Sequence, residues 1–194
     1  MQRLLFTKGK TAFFLCDVQE KFRPHIYQIN DVIHTARKMS DFSKLLNIPL
    51  IVTEQYPKAL GSTCSEIDIQ HASLVEPKTL FSMLVPKVKA FLKKSEIENV
   101  VLYGIEAQVC VTQTALDLLA ENIKVHILVD GISSVNHGER LNAIQRLQPY
   151  CDMTTSETVI FQLVKDASVP IFKDVSNLVK KYKNETRDNK LLNF

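Results

Sequence analysis

What most constrains this chain is an alternation. Short, continuously apolar runs are separated by longer stretches whose apolar residues recur every three or four positions. The runs are Thr11-Ala-Phe-Phe-Leu-Cys16, Leu50-Ile-Val-Thr53, Val100-Val-Leu-Tyr103 and Val125-His-Ile-Leu-Val129. A strand without polar alternation must be covered on both faces, which is the condition of a parallel sheet held between helices. After the first run, Val32, Ile33, Ala36, Met39, Phe42, Leu45 and Leu46 keep helical spacing, with Asp31 placed to cap the helix and Pro49 to end it. Pro86 opens a helix carrying Val88, Phe91 and Leu92, and another begins near Cys110 with Val111, Thr114, Ala115, Leu118 and Leu119. Asp130-Gly131 reads as the exit turn of the fourth run, followed by a helix over about 137–147 and a short strand near Met153. Thr154 and Glu157 have capping-box spacing before Val159, Ile160, Leu163 and Val164. Pro170 begins a last helix through Val175, Leu178 and Val179. The expected organisation is one domain over residues 1–183 and a polar, frayed tail over 184–194.

At 194 residues the chain suits one α/β domain and is short for two. Apolar residues at 45% and charged residues at 23% exclude a disordered chain, and no apolar run approaches the ~20 residues of a membrane helix. The balance of 24 basic against 21 acidic residues, a net +3, is too slight to imply a nucleic acid or membrane partner. Cys16, Cys64, Cys110 and Cys151 are widely separated, with no C-x-x-C and no zinc-type clustering. Met1 to Phe6 runs straight into Lys8 and Lys10 without a secretory pattern. These features point to a reducing compartment, with a cytoplasmic location expected and a mitochondrial one left open.

Ligands of open parallel sheets bind outside the carboxyl ends of the strands. Three polar residues fall there: Asp17 after the first run, Lys78 after Leu74-Val-Glu-Pro77, and Cys110 at the mouth of a helix beyond Tyr103. A thiol at a helix start is biased toward thiolate, the nucleophilic form, and an ammonium nearby adds to that bias. Cys110 reads equally as a small buried hydrophobe. Asp17 is either a proton carrier at the rim of the core or the cap of the next turn. Lys78 is either part of the same site or a solvated surface lysine. Cys16, next to Asp17, should face the other way along the strand and belong to the core. There is no G-x-G-x-x-G, P-loop, G-x-S-x-G or H-E-x-x-H. The histidines are scattered: His126 lies within a strand, as core rather than ligand, and His34 on the exposed side of its helix. No metal site and no cofactor are evident.

With these three residues in place, the sequence resembles the isochorismatase-like cysteine hydrolase family. Leu15-Cys-Asp-Val-Gln-Glu-Lys-Phe-Arg23 is similar to the family's first-strand motif, and Gly104-Ile-Glu-Ala-Gln-Val-Cys110 to its nucleophile loop. Thr53-Glu-Gln-Tyr-Pro57 and Lys78-Thr-Leu-Phe-Ser-Met83 resemble the eukaryotic isochorismatase domain-containing protein 2 branch. The similarity runs from about Thr11 to Lys180. It implies a three-layer α/β/α sandwich around a mainly parallel sheet of about six strands. It also implies a triad of Asp17, Lys78 and Cys110, a cis peptide between Ile105 and Glu106, and an oxyanion hole formed by the amides of Glu106 and Cys110.

The activity the resemblance implies is hydrolysis of a small carboxamide through a thioester. An intact but idle site on a protein-binding partner is the alternative. Nicotinamidases of the family hold a metal with an Asp-x-His pair after the second strand. Here those positions read Glu54-Gln55-Tyr56, so no matching metal site is expected. Phe22, Tyr56 and Phe81 flank the motifs and are candidates for a small apolar pocket. Family members are often homo-oligomers, so a dimer or tetramer acting on a small-molecule substrate is expected.

Overall fold

The computed structural model describes Phe6 and residues 8–193. The reading of Met1 to Phe6 as leader-free therefore rests mostly on residues outside those described. The chain forms β1 (Thr11–Cys16), α1 (Ile29–Leu46), β2 (Leu50–Gln55), a single turn α2 (Pro57–Leu60), β3 (Leu74–Lys78), α3 (Pro86–Lys94) and β4 (Asn99–Ile105). It continues with α4 (Thr112–Ala120), β5 (Lys124–Ser133), α5 (His137–Leu147), β6 (Asp152–Thr154), α6 (Ser156–Val164), α7 (Phe172–Lys181) and α8 (Lys183–Arg187).

The six strands lie in the order β3-β2-β1-β4-β5-β6 and every neighbouring pair is parallel. Alternate residues of each strand feed two separate cores. Phe13, Leu15, Leu50 and Val52 pack under α1, α6 and α7, whereas Ala12, Phe14, Cys16, Ile51 and Leu102 pack under α3, α4 and α5. This is the three-layer arrangement the apolar runs require. The order reverses between β1 and β4, and the crevice at such a reversal is where open sheets bind ligands. Gly104 makes the close approach there possible. It has φ of 127°, and a Cβ on it would lie 2.1 Å from the carbonyl oxygen of Cys16.

Several local expectations are corrected. α1 starts at Ile29 after a left-handed Gln28, so Asp31 sits inside the first turn rather than at the cap. α6 is capped by Thr155, whose hydroxyl accepts from the Thr158 amide, one residue later than the capping-box spacing suggests. Asp130-Gly131 does not end β5. The strand continues to Ser133 past an irregular stretch, where Leu102 pairs with Ile127 but Gly104 pairs with Ile132. Tertiary bonds hold that stretch: the Asp130 carboxylate accepts from the Ser156 amide and hydroxyl, and its carbonyl accepts from Thr35 Oγ1. His34 is half-buried rather than exposed.

The expected frayed tail from residue 184 is also corrected. α8 and a following 3-10 turn (Lys190–Leu192) fold back onto the domain, and Leu191 is fully buried. The polar residues of this segment are occupied by specific partners. Asn189 Nδ2 donates to the Asp130 carbonyl at 2.9 Å, and the Leu191 carbonyl accepts from the buried Arg140 guanidinium at 2.6 Å.

Candidate active site

β1 ends at Cys16, and the next residue, Asp17, takes a left-handed backbone conformation (φ 54°). Left-handed geometry is tolerated by Asp better than by most residues, and here it turns the carboxylate over the end of the sheet. Asp17 is 1% exposed. Its Oδ1 accepts from Thr53 Oγ1 at 2.7 Å, its Oδ2 from Lys78 Nζ at 2.7 Å, and the Cys16 thiol points at Oδ2 from 3.6 Å.

Lys78 is the last residue of β3, an edge strand where Pro77 costs no ladder bond to an outer neighbour. Its side chain is completely buried. Besides Asp17, its ammonium meets Gln55 Oε1 at 2.6 Å and the carbonyls of Leu80 and Phe81 at 3.0 and 2.9 Å. A buried ion pair is sustained only when its remaining hydrogen-bonding capacity is met, and these contacts meet it. Gln55 is held in turn by Gln19, which is fully buried and bonds both the amide and the carbonyl of Gln55.

Cys110 is reached from β4. The Ile105–Glu106 peptide is cis, and the chain then makes a wide turn over Ala107–Val111, with the Val111 amide donating to the Glu106 carbonyl five residues back. Such π-type turns recur at functional sites. Cys110 therefore sits in that wide turn, two residues ahead of α4, not in the first turn of a regular α-helix. Its carbonyl is anchored by Thr114 Oγ1 at 2.7 Å, and the Glu106 carboxylate accepts from the Val135 amide and from Gln108 Nε2, both at 3.1 Å.

Asp17 and Lys78 are thus in direct contact, with the Cys16 thiol beside Asp17, and Cys16 and Cys110 both belong to the α3/α4/α5 core layer. Burial first, and the charge of Asp17 after it, push the Cys16 thiol well above its usual range, against the opposing charge of Lys78. Burial also pushes Cys64 up to about 11 and Cys151 up to about 12.

Against known proteins, the isochorismatase domain matches residues 11–158. The chain belongs to the isochorismatase family. It is 44% identical over 172 residues to isochorismatase domain-containing protein 1 of Danio rerio, covering 88% of this chain but only 61% of that longer protein. With isochorismatase domain-containing protein 2 of the same fish it shares 44% over 177 residues, covering 90% of this chain and 89% of that one. Among solved structures, one described as a MAR1 ribonuclease from Caenorhabditis elegans superposes with a TM-score of 0.86 at 41% identity, covering 91% and 92% of the two chains.

Glu54, Gln55 and Tyr56, the residues at the positions the resemblance aligns with the nicotinamidase metal pair, are placed otherwise here. Glu54 Oε1 accepts from the Thr63 amide and hydroxyl at 2.7 and 2.9 Å, Gln55 is bonded to Lys78, and Tyr56 is exposed. Among the described residues, no group of three or more His, Cys, Asp or Glu side chains is arranged to hold a metal ion. These residues do not fit a metal.

Of the pocket candidates, Tyr56 and Phe81 are exposed, and their main chains frame Lys78. The Tyr56 amide donates to the Lys78 carbonyl at 2.8 Å, and Phe81 accepts from its ammonium. Phe22 packs instead against the α1-side core. Thr53, Gln55, Gln19 and Cys16 are site residues that the sequence pattern does not announce. The signal that could have found Thr53 and Gln55 is register, since they pair with Cys16 and Lys78 across neighbouring strands.

Proposed function

We propose that this protein is a metal-independent cysteine hydrolase acting on a small carboxamide, with Cys110 as nucleophile and Asp17 as proton carrier. The observation that carries this reading is the buried Asp17–Lys78 pair, 2.7 Å apart beyond the ends of the strands, with Cys110 in the turn that follows β4. A carboxylate, an ammonium and a thiol enclosed at the sheet reversal are the groups such a reaction uses.

In the first half-reaction the Cys110 sulfur bonds to the carboxamide carbon while its proton passes to Asp17. The carbonyl oxygen takes up the electron pair and is held by the Glu106 and Cys110 amides. The C–N bond then breaks, and Asp17 returns the proton to the departing amine. In the second half-reaction Asp17 takes a proton from water as its oxygen adds to the thioester carbon. The C–S bond breaks, the proton returns to sulfur, and the acid leaves. Lys78 keeps Asp17 in place and compensates its charge. The Glu106 carboxylate, tied to Val135 and Gln108, keeps the loop carrying the first oxyanion donor in position. Each such donor is worth roughly 100- to 1,000-fold in rate. Tyr56 and Phe81 are proposed to flank the substrate, and the exposed Tyr56, Leu80 and Phe81 side chains suit a protein that self-associates.

The test is amine or ammonia release across a carboxamide panel by the wild type, Asp17→Asn and Cys110→Ala, with a search for the acyl-enzyme by intact mass. Turnover that survives Cys110→Ala overturns the mechanism. Fast labelling of Cys110 without turnover on any carboxamide favours a binding partner with an idle site.

A second reading draws support from the ribonuclease description of the 41% identical structure. On that reading the same enclosed site would act on a phosphodiester. Cleavage of a labelled RNA by the wild type but not by Cys110→Ala would favour it over carboxamide hydrolysis.

A further inference from the structure

Asp17 reaches the site on a backbone that has left the strand. Its φ of 54° turns the chain out of β1, so the sheet ladder does not set where the carboxylate points. The torsion that orients a carboxylate about its own bond is broad and roughly two-fold. One hydrogen bond therefore leaves it free to pivot, whereas a bond on each oxygen fixes it. Lys78 supplies the first. Its ammonium is itself held by Gln55 Oε1 and the carbonyls of Leu80 and Phe81, and it meets Asp17 Oδ2 at 2.7 Å. Thr53 supplies the second, its Oγ1 donating to Oδ1 at 2.7 Å.

The fold gives Thr53 little freedom to do otherwise. It lies within β2, is fully buried, and pairs in register with Cys16, the residue before Asp17. Its carbonyl accepts from the Asp17 amide at 3.2 Å, so main chain and side chain of one threonine grip main chain and side chain of one aspartate. A β-branched side chain has few rotamers, which keeps the hydroxyl where the strand puts it. A lysine ammonium can only donate, but a hydroxyl both donates and accepts, so Thr53 can follow Asp17 through its charged and protonated states.

We propose that Thr53 is a positioning residue of the hydrolase, aiming the Asp17 carboxylate by its hold on Oδ1 so that one proton carrier serves both half-reactions. The proposal rests on the proposed hydrolysis, in which Asp17 takes up and returns a proton twice. A carboxylate released at Oδ1 would pivot about its bond to Lys78 and present a misdirected lone pair to the reacting groups. Thr53 is fully buried and acts on the substrate only through Asp17, so its loss bears on kcat rather than on KM. A threonine that merely satisfied a buried strand end would show itself in stability, not in turnover by the folded protein.

The experiment measures kcat, KM and the urea midpoint of the wild type, Thr53→Val and Thr53→Ser, using a carboxamide that the wild type turns over and Cys110→Ala does not. Thr53→Val keeps the shape and removes the hydroxyl, and it is expected to lower kcat roughly 10- to 100-fold with KM within about twofold of wild type. Thr53→Ser returns the hydroxyl and is expected to hold kcat within about threefold of wild type. If Thr53→Val folds too poorly to assay, Thr53→Ala is compared with Thr53→Ser, a pair differing only by the hydroxyl, and the same fall in kcat is expected. A hydroxyl-free variant that loses urea stability yet keeps the wild-type kcat overturns the positioning role and leaves the hydrolase reading standing. So does a Thr53→Ser protein as slow as the variant without a hydroxyl. A wild type with no Cys110-dependent turnover on any carboxamide removes the hydrolase reading, and this inference with it.

Discussion

Replacing Lys78 with Met tests whether the Asp17–Lys78 pair is a tuned buried charge pair or an incidental contact. The lysine side chain is 0% exposed and that of Asp17 2%, so the surviving carboxylate cannot be rescued by water. Thr53 Oγ1 would remain as a partner, but the charge would be uncompensated, and Gln55 Oε1 and the carbonyls of Leu80 and Phe81 would lose their donor. Removing one member of a buried pair costs about 3–5 kcal/mol. For a chain of this size that corresponds to a fall of roughly 6–20 °C in Tm. The buried carboxylate would shed its penalty by taking up a proton. The folded variant would then bind more protons than the unfolded chain, and its stability would fall relative to wild type as pH rises from about 5 to about 8. Asp17→Asn combined with Lys78→Met removes the orphaned charge and should recover about half of the loss or more. Urea unfolding of the wild type, Lys78→Met and the double variant at both pH values measures all of this. A Lys78→Met protein within about 1 kcal/mol of wild type, or a double variant less stable than Lys78→Met alone, would refute the reasoning.

Gly104→Ala places a methyl group 2.1 Å from the Cys16 carbonyl on a backbone with φ of 127°. Thermal unfolding should show a loss of at least about 3 kcal/mol, and a near-neutral variant would contradict the packing described for β1 and β4. His126 is buried against Phe6 and bonded to Asp152 and Asn99, and burial lowers its proton affinity more than Asp152 restores it. Its contribution is therefore present above the unfolded value of about 6.5 and is lost as pH falls through the lower folded value. The urea midpoint should drop between about pH 7.5 and about pH 5.5, and His126→Gln should flatten the drop. Iodoacetamide near neutral pH should label Cys110 at least about tenfold faster than Cys151. Cys151 is no less accessible but has its thiol pushed up to about 12, so equal rates would count against Cys110 as nucleophile.

The continuous apolar runs made four of the strands and the two-sided burial legible, because that pattern has few other uses. Asp130-Gly131 misled because its turn chemistry is local, while Thr35, Asn189 and Ser156, distant in sequence, hold the stretch within the strand. The tail misled for a similar reason. Polar composition suggests solvent, yet Asn189 spends its amide on Asp130 and Leu191 is buried. At the site, Asp17 and Lys78 were visible because strand ends are where open sheets place ligands. Thr53 and Gln55 were not, because their roles depend on which strands become neighbours. Cys16 belongs to the core as the strand pattern suggests, but its thiol reaches Asp17 Oδ2 instead of facing away from it. Strict alternation holds only for extended backbone, and the left-handed turn at Asp17 brings consecutive side chains to one site.

The returning C-terminal segment has a practical consequence. Lys190 donates from its backbone to Asp31 at the start of α1, Asn189 reaches the irregular stretch of β5, and the Leu191 carbonyl accepts from the wholly buried Arg140 of α5. Residues 189–191 therefore work as a latch across the first helix, the fifth strand and the fifth helix. Trimming the chain at residue 183, where polar composition invites a cut, would unfasten all three at once.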